Sequence, residues 1–186
     1  MHDEVGLRPI DASDLDLLRA VLADPAMTRH VGGPETETQI QSRLHRLLRD
    51  RGTGATFAIT LGDAPAGIGW TGWWETDHEG GTAWEAGLSL LAAWQGRGIA
   101  ARAFRLALDR AADARRHRLV HSFVAVANDP ANRMCERVGF VRVGELDVPD
   151  PHGHLTRCVD WRYELWPASV AGEARATSAD RPPGPR

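Results

Sequence analysis

Apolar residues along this chain change rhythm, and the changes mark the elements. Val5 to Ile10 is a short apolar run that reads as a strand closing near Pro9. Leu15, Leu18 and Val21/Leu22 then recur at helical spacing, with Asp11 or Ser13 able to cap a helix that runs to about Ala23. Asp24-Pro25 breaks that helix, and His30 to Pro34 is loop chemistry. Ile40, Leu44, Leu47 and Leu48 form the apolar stripe of a second helix from about Glu35 to Arg51, with Arg43, Arg46, Arg49 and Arg51 on a solvated basic face.

The rhythm then shortens. Thr56 to Leu61, Pro65 to Trp74 and Gly81 to Leu91 read as three strands joined by short turns such as Gly62-Asp63 and Glu79-Gly80-Gly81, which favours antiparallel neighbours. A third helix runs from about Gly98 to Arg116, with Ala100, Phe104, Ala107, Ala111 and Ala114 on its buried face. Leu119 to Ala127 alternates poorly, as a strand covered on both faces does. Ala131 to Val138 is a short helix stopped by Gly139, and Phe140 to Val148 pairs with Leu155 to Leu165 across the loop from Pro149 to Gly153. The order β-α-α-β-β-β-α-β-α-β-β predicts an α/β (α+β) fold: a mixed, mostly antiparallel central sheet of about seven strands flanked by four helices.

Composition narrows the classes. The 186 residues suit one domain, placed at residues 1–166, and the Ala, Gly, Ser, Pro and Arg stretch at 167–186 is expected to be a disordered tail. A formal net charge of −3 gives no global basic field, so neither nucleic acid nor a membrane is an expected partner. The N-terminus lacks a basic and apolar leader, and no apolar run approaches the ~20 residues of a membrane span, so a cytoplasmic protein is expected. Cys135 and Cys158 share no metal-ligand spacing and read as thiols, with a disulfide between them as the alternative. His152 and His154 have no third ligand spaced to join them, so no metal site is expected.

One stretch carries chemistry. In LSLLAAWQGRGIAARAF, Leu88 to Phe104, a strand runs into a glycine turn that opens a helix. Several N–H groups then converge at the positive end of the helix dipole, and glycine lets a phosphate approach the backbone. By letter, Gly96 to Ala101 also fits the dinucleotide pattern G-x-G-x-x-G/A. That fold requires its turn after the first strand and an acid about 20 residues on. Here several strands precede the turn, Asp129 lies too far along, and no triphosphate-binding loop occurs.

Gln95-Gly96-Arg97-Gly98-Ile99-Ala100 matches the pattern Q/R-x-x-G-x-G/A of acetyl-CoA-binding loops. With WEAGLSLLAAWQGRG upstream and NDPANRMCERVGF downstream, the chain resembles the GNAT superfamily of N-acetyltransferases from about Leu7 to Leu165, and its ribosomal-protein N-terminal acetyltransferase branch in particular. The resemblance implies a splayed strand pair in which Leu88, Ser89 and Leu90 pair with the pantetheine arm of acetyl-CoA, the cosubstrate. It implies that the amides of Gln95, Gly96, Arg97, Gly98, Ile99, Ala100 and Ala101 hold the pyrophosphate, with Asn128 touching the cofactor or capping the next helix.

The implied reaction moves an acetyl group to a primary amine, of a small molecule or a protein N-terminus, by direct attack in a ternary complex. Glu85 is the candidate base. The usual proton donors are missing: Cys135 stands where many relatives have Tyr, and Ala131 where the ribosomal-protein branch has Ser. Cys135 is therefore the candidate acid, with an inert buried thiol and protonation of the thiolate by water or bulk solvent as the alternatives, and a catalytically weak or inactive CoA-binding module is the alternative function. Trp70, Trp73, Trp74 and Trp84 crowd the strands expected to wall the acceptor pocket; Trp73, Trp84 and Asp160 are the candidate substrate residues. A monomer or homodimer is expected.

Overall fold

Alternation along the strands sorts the side chains onto two differently covered faces of one sheet. The computed structural model describes residues 4–167 apart from 50, 51, 63, 65, 151 and 152. Strands β1 (Val5–Pro9), β2 (Gly54–Leu61), β3 (Gly69–His78), β4 (Gly81–Leu90), β5 (Leu119–Ala125), β6 (Val141–Pro149) and β7 (Leu155–Glu164) lie in the order β1-β2-β3-β4-β5-β7-β6. The pair β4–β5 is parallel, and every other neighbouring pair is antiparallel. The helices are α1 (Leu15–Leu22), α2 (Pro25–Thr28), α3 (Glu37–Arg49), α4 (Ile99–Asp113) and α5 (Asp129–Val138).

On one face, Phe57, Trp73, Trp84, Val120 and Val159 pack against Phe104, Ala107, Leu108 and Ala111 of α4 and Cys135 and Val138 of α5. On the other, Ala58 meets Leu18 and Val21 of α1 and Ile40 and Leu44 of α3, with Trp70 packed at the margin. This is the expected mixed sheet, with its covering helices shared between the two faces.

Several local expectations change. Pro25 ends α1 and also starts a helix, α2, at a position where its missing N–H costs nothing; the Asp24 carboxylate caps it, accepting from Ala26 N at 2.7 Å. Thr36 and Gln39 form a reciprocal cap that starts α3 at Glu37, leaving Glu35 outside the helix. Glu35 is buried and binds Arg43, with Nε donating to Oε2 at 3.1 Å, so Arg43 leaves the solvated basic face. The buried face of α4 includes Ala103 and Leu108, whereas Ala114 is exposed because the helix ends at Asp113. Strand β3 runs past Trp74 to His78, and this extra length matters below. The expected tail lies, from residue 168 onward, outside the described residues, as does His152.

The parallel pair is short. Only Trp84 with Val120 and Glu85 with His121 are in register between β4 and β5. Beyond them, β4 through Leu90 pairs with β3 alone, and β5 through Ala125 pairs with β7 alone. Two strand edges therefore diverge, each with a row of backbone donors and acceptors directed into the gap.

Candidate active site

The gap opens beside the turn that the sequence marks. Gly96 and Gly98 both hold φ of 74°, a left-handed conformation, and a Cβ at either would meet nothing within 4 Å. Glycine is therefore required by the backbone and not by crowding. Gly98 caps α4, whose first internal bond runs from Arg102 N to Gly98 O at 3.3 Å. The amides of Ile99, Ala100 and Ala101 precede any acceptor the helix offers them, and they sit at the positive end of the dipole. Helix geometry equips this turn to hold an anion.

Two residues of this loop make contacts within it. Gln95 N–H donates within the turn to Ala92 O at 3.2 Å, so it is engaged away from the cradle. Its side-chain Nε2 donates to Leu90 O at 2.8 Å and fastens the loop to the end of β4. The Arg97 guanidinium lies 5.0 Å from the Trp94 ring centroid, held against its own loop. Asn128 caps α5, its side chain accepting from Ala131 N at 3.4 Å while its carbonyl takes Asn132 N at 3.0 Å.

Glu85 stands at the last position where β4 pairs with β5, opposite Trp74 on one side and His121 on the other. Burial pushes its carboxyl above the ordinary carboxylate range, while hydrogen bonds from Trp74 and Thr76 and the nearby His121 pull the other way. Two residues along, on the same face, Gly87 is overlain by aromatic rings. A Cβ there would lie 2.9 Å from Trp74 Cη2 and 3.7 Å from Trp70 Cη2. Trp70 and Trp74 thus flank Glu85 on its own face, and both line a cavity of about 580 Å³ that continues to Arg46 and Leu47 of α3.

The sequence places four tryptophans on these strands, and Trp73 and Trp84 among them are its candidate substrate residues. Trp84 is one position from Glu85 and so points to the opposite face, where it is 2% exposed and packs edge-on against His117. Trp73 also belongs to that opposite core, against Phe57 at 5.4 Å between ring centroids, and it lines the cavity as well. The clue was available as strand parity: in the observed register Trp74 is the partner of Glu85, and Trp70 is four residues from it.

Cys135 is fully buried in the core on the face away from Glu85. Burial pushes its thiol up to about 12, and a hydrogen bond with Ser122 offsets only part of that. Cys158 is also buried, its thiol raised chiefly by burial, and both cysteines are free.

Asp160 lies on the Glu85 face of β7, 6% exposed, between two imidazoles. Its Oδ1 is 2.7 Å from His121 Nδ1 and its Oδ2 is 3.0 Å from His78 Nε2. His78 is within reach only because β3 extends four residues beyond Trp74. Neither histidine was expected to join a site. His154 is 80% exposed and 3.4 Å from Asp150 Oδ2, as a solvated loop histidine.

Residues 4–141 match the acetyltransferase (GNAT) domain family. No curated protein sequence matches the chain. Among solved structures, a GNAT-family acetyltransferase from Bacillus anthracis is similar with a TM-score of 0.72 at 14% identity, covering 89% of this chain and 97% of the other. Spermidine N-acetyltransferase from Vibrio cholerae, in complex with CoA and spermine, aligns with a TM-score of 0.72 at 19% identity, over 87% of this chain and 95% of that one. RimL, a ribosomal L7/L12 alpha-N-protein acetyltransferase in complex with CoA, gives a TM-score of 0.70 at 17% identity, over 86% and 93%. No described helix is long and apolar enough to cross a membrane.

Proposed function

From membership of the GNAT acetyltransferase family, to which this chain belongs, we infer that acetyl-CoA lies in the β4–β5 gap and that Glu85 serves a primary amine arriving from the Trp70–Trp74 side. The activity is acetyl-CoA-dependent N-acetyl transfer. The observation that carries the site reading is the junction of the splayed strand edges with the Gly98 turn. Leu88, Ser89 and Leu90 offer backbone to the pantetheine amides, and the first amides of α4 offer N–H groups to the pyrophosphate.

The acceptor amine must be neutral to attack. A carboxylate raised by burial is suited to take its proton, since a base works best with a pKa near the working pH. The amine lone pair then forms the new C–N bond at the thioester carbonyl, whose oxygen carries the charge until the C–S bond breaks. The leaving thiolate keeps the sulfur electron pair and takes its proton from solvent. Cys135 is a poor donor for this step: a thiol raised to about 12 is a weaker acid than the ordinary thiol it would have to protonate. With Ala131 unable to donate, no side chain is assigned as the acid.

The acceptor class proposed is a small molecule or protein N-terminus bearing a primary amine, its apolar body against Trp70 and Trp74. We further propose a cytoplasmic monomer or homodimer with no nucleic-acid partner, on the formal charge of −3 and the two free thiols. The lack of a side-chain acid favours one second reading, a CoA-binding module with little catalysis. Binding and turnover separate the two. Acetyl-CoA raises Tm under both, whereas free thiol released across a panel of amines and N-terminal peptides appears only for the enzyme. No stabilisation by CoA would refute the site, and stabilisation without thiol release across the panel would leave the module.

A further inference from the structure

Three strands bring His78, His121 and Asp160, far apart in sequence, to one point on the sheet face that carries Glu85. Each offers one ligand atom, and the three atoms lie within 4.8 Å of one another. The site is enclosed: the side chains of His78, His121 and Asp160 are 11%, 5% and 8% exposed. The two imidazole rings are 4.2 Å apart between centroids, and Phe123 lies 5.4 Å from one and 6.1 Å from the other.

The contacts of the carboxylate differ in kind. His121 Nδ1 and Asp160 Oδ1, at 2.7 Å, make a hydrogen bond that fixes the ring. His78 Nε2 is 3.0 Å from Asp160 Oδ2 but out of line with it, and this solvent-shielded nitrogen makes no hydrogen bond among the described residues. Buried polar atoms are rarely left unmatched. A nitrogen and a carboxylate oxygen that sit side by side, without pointing at one another, have the geometry of two ligands directed at a third body.

We propose that His78, His121 and Asp160 bind a zinc ion. Two imidazoles and one carboxylate suit Zn²⁺ and its late first-row neighbours, whereas Mg²⁺ and Ca²⁺ take all-oxygen sets. A tetrahedral Zn²⁺ with bonds of ~2.0–2.1 Å spaces its ligand atoms about 3.3 Å apart, so side-chain adjustments on the order of 1 Å close the site. The carboxylate offsets part of the ion's charge, Phe123 braces both rings, and water completes the fourth position. Binding releases any proton held on the ligating nitrogens. No local spacing announces this set, because β3, β5 and β7 each contribute a single residue.

The test is independent of acetyl transfer. The full chain, stripped with EDTA, is titrated with ZnCl₂ by calorimetry in a non-chelating buffer. One zinc per chain and a higher Tm are expected, and Co²⁺ should give the visible bands of a tetrahedral site. His78→Gln and Asp160→Asn should each weaken zinc binding at least ~10-fold, and His154→Gln, on the exposed loop, should leave it unchanged. No zinc uptake by the wild-type chain at a large molar excess would overturn the proposal whatever the variants do. Equal affinity in His78→Gln would overturn it as well.

Discussion

Replacing Gly98 by Glu tests the anion cradle with the least disturbance to the fold. No atom lies within 4 Å of a Cβ built at Gly98, so the first atom of the new side chain meets no obstacle and the cost lies in the backbone. The φ of 74° costs a non-glycine residue roughly 1–2 kcal/mol. Glu79 and Arg115 already adopt φ of 49° and 52°, so the conformation is attainable in this chain. A carboxylate at the start of α4 gains about 0.3–1 kcal/mol from the helix dipole. The net loss of stability is therefore about 1 kcal/mol, a fall in Tm of roughly 2–4 °C for a chain of this size. Binding should suffer far more. One carboxylate about 5 Å from one phosphate charge, at an effective dielectric constant of about 20, repels it by about 3 kcal/mol. That corresponds to a loss of CoA affinity of roughly 100-fold or more. Gly98→Ala carries the strain without the charge and separates the two effects. The assay is calorimetric titration with CoA at fixed ionic strength. A Gly98→Glu protein that melts within a few degrees of wild type and binds CoA within about threefold of it would refute the cradle.

Two further outcomes follow from the buried groups. Glu85→Gln should lower turnover by about 10²–10⁴ while leaving the Kd for CoA unchanged. In chelator-treated wild type, the acid limb of kcat/KM should lie above the ordinary carboxylate value of 4.5, because burial raises Glu85. The sign for stability is opposite to that for activity. A carboxyl raised in the fold destabilises the fold increasingly as pH climbs from the unfolded value through the raised one, so Glu85→Gln should melt no lower than wild type at pH 8 and lose that advantage in acid. Cys135→Ala should keep full turnover and lose about 1–2 kcal/mol of stability by urea titration. A large fall in turnover in folded Cys135→Ala would restore the thiol as an acid.

Much of the architecture was legible because it rests on local periodicity. The Leu15/Leu18 and Ile40/Leu44 repeats, the glycine turn at Gly96–Gly98 and the β6–β7 hairpin all lie where the sequence put them. The acceptor side was less legible because it depends on register. Trp73 and Trp74 are equivalent by composition, and only the pairing of Trp74 with Glu85 shows which ring shares the Glu85 face. His78, His121 and Asp160 come from three strands, and Asp160 meets His78 only because β3 continues beyond Trp74. Gln95 matched the family pattern by letter, while its side chain acts as a brace to Leu90. Cys135 could be placed at the aligned position of an acid, but its exposure required the packed core.

The two-rung ladder between β4 and β5 also bears on how long the protein survives. With so little backbone joining them, the two halves of the sheet are held chiefly by side chains packed under α4 and α5, and each divergent edge can exchange its amides with solvent. Acetyl-CoA bridging those edges, as proposed above, stabilises the folded chain in proportion to the logarithm of its concentration. The supply of acetyl-CoA then governs turnover of the enzyme as well as turnover by it: a chain starved of cosubstrate is the one that breathes, and the first that proteases reach.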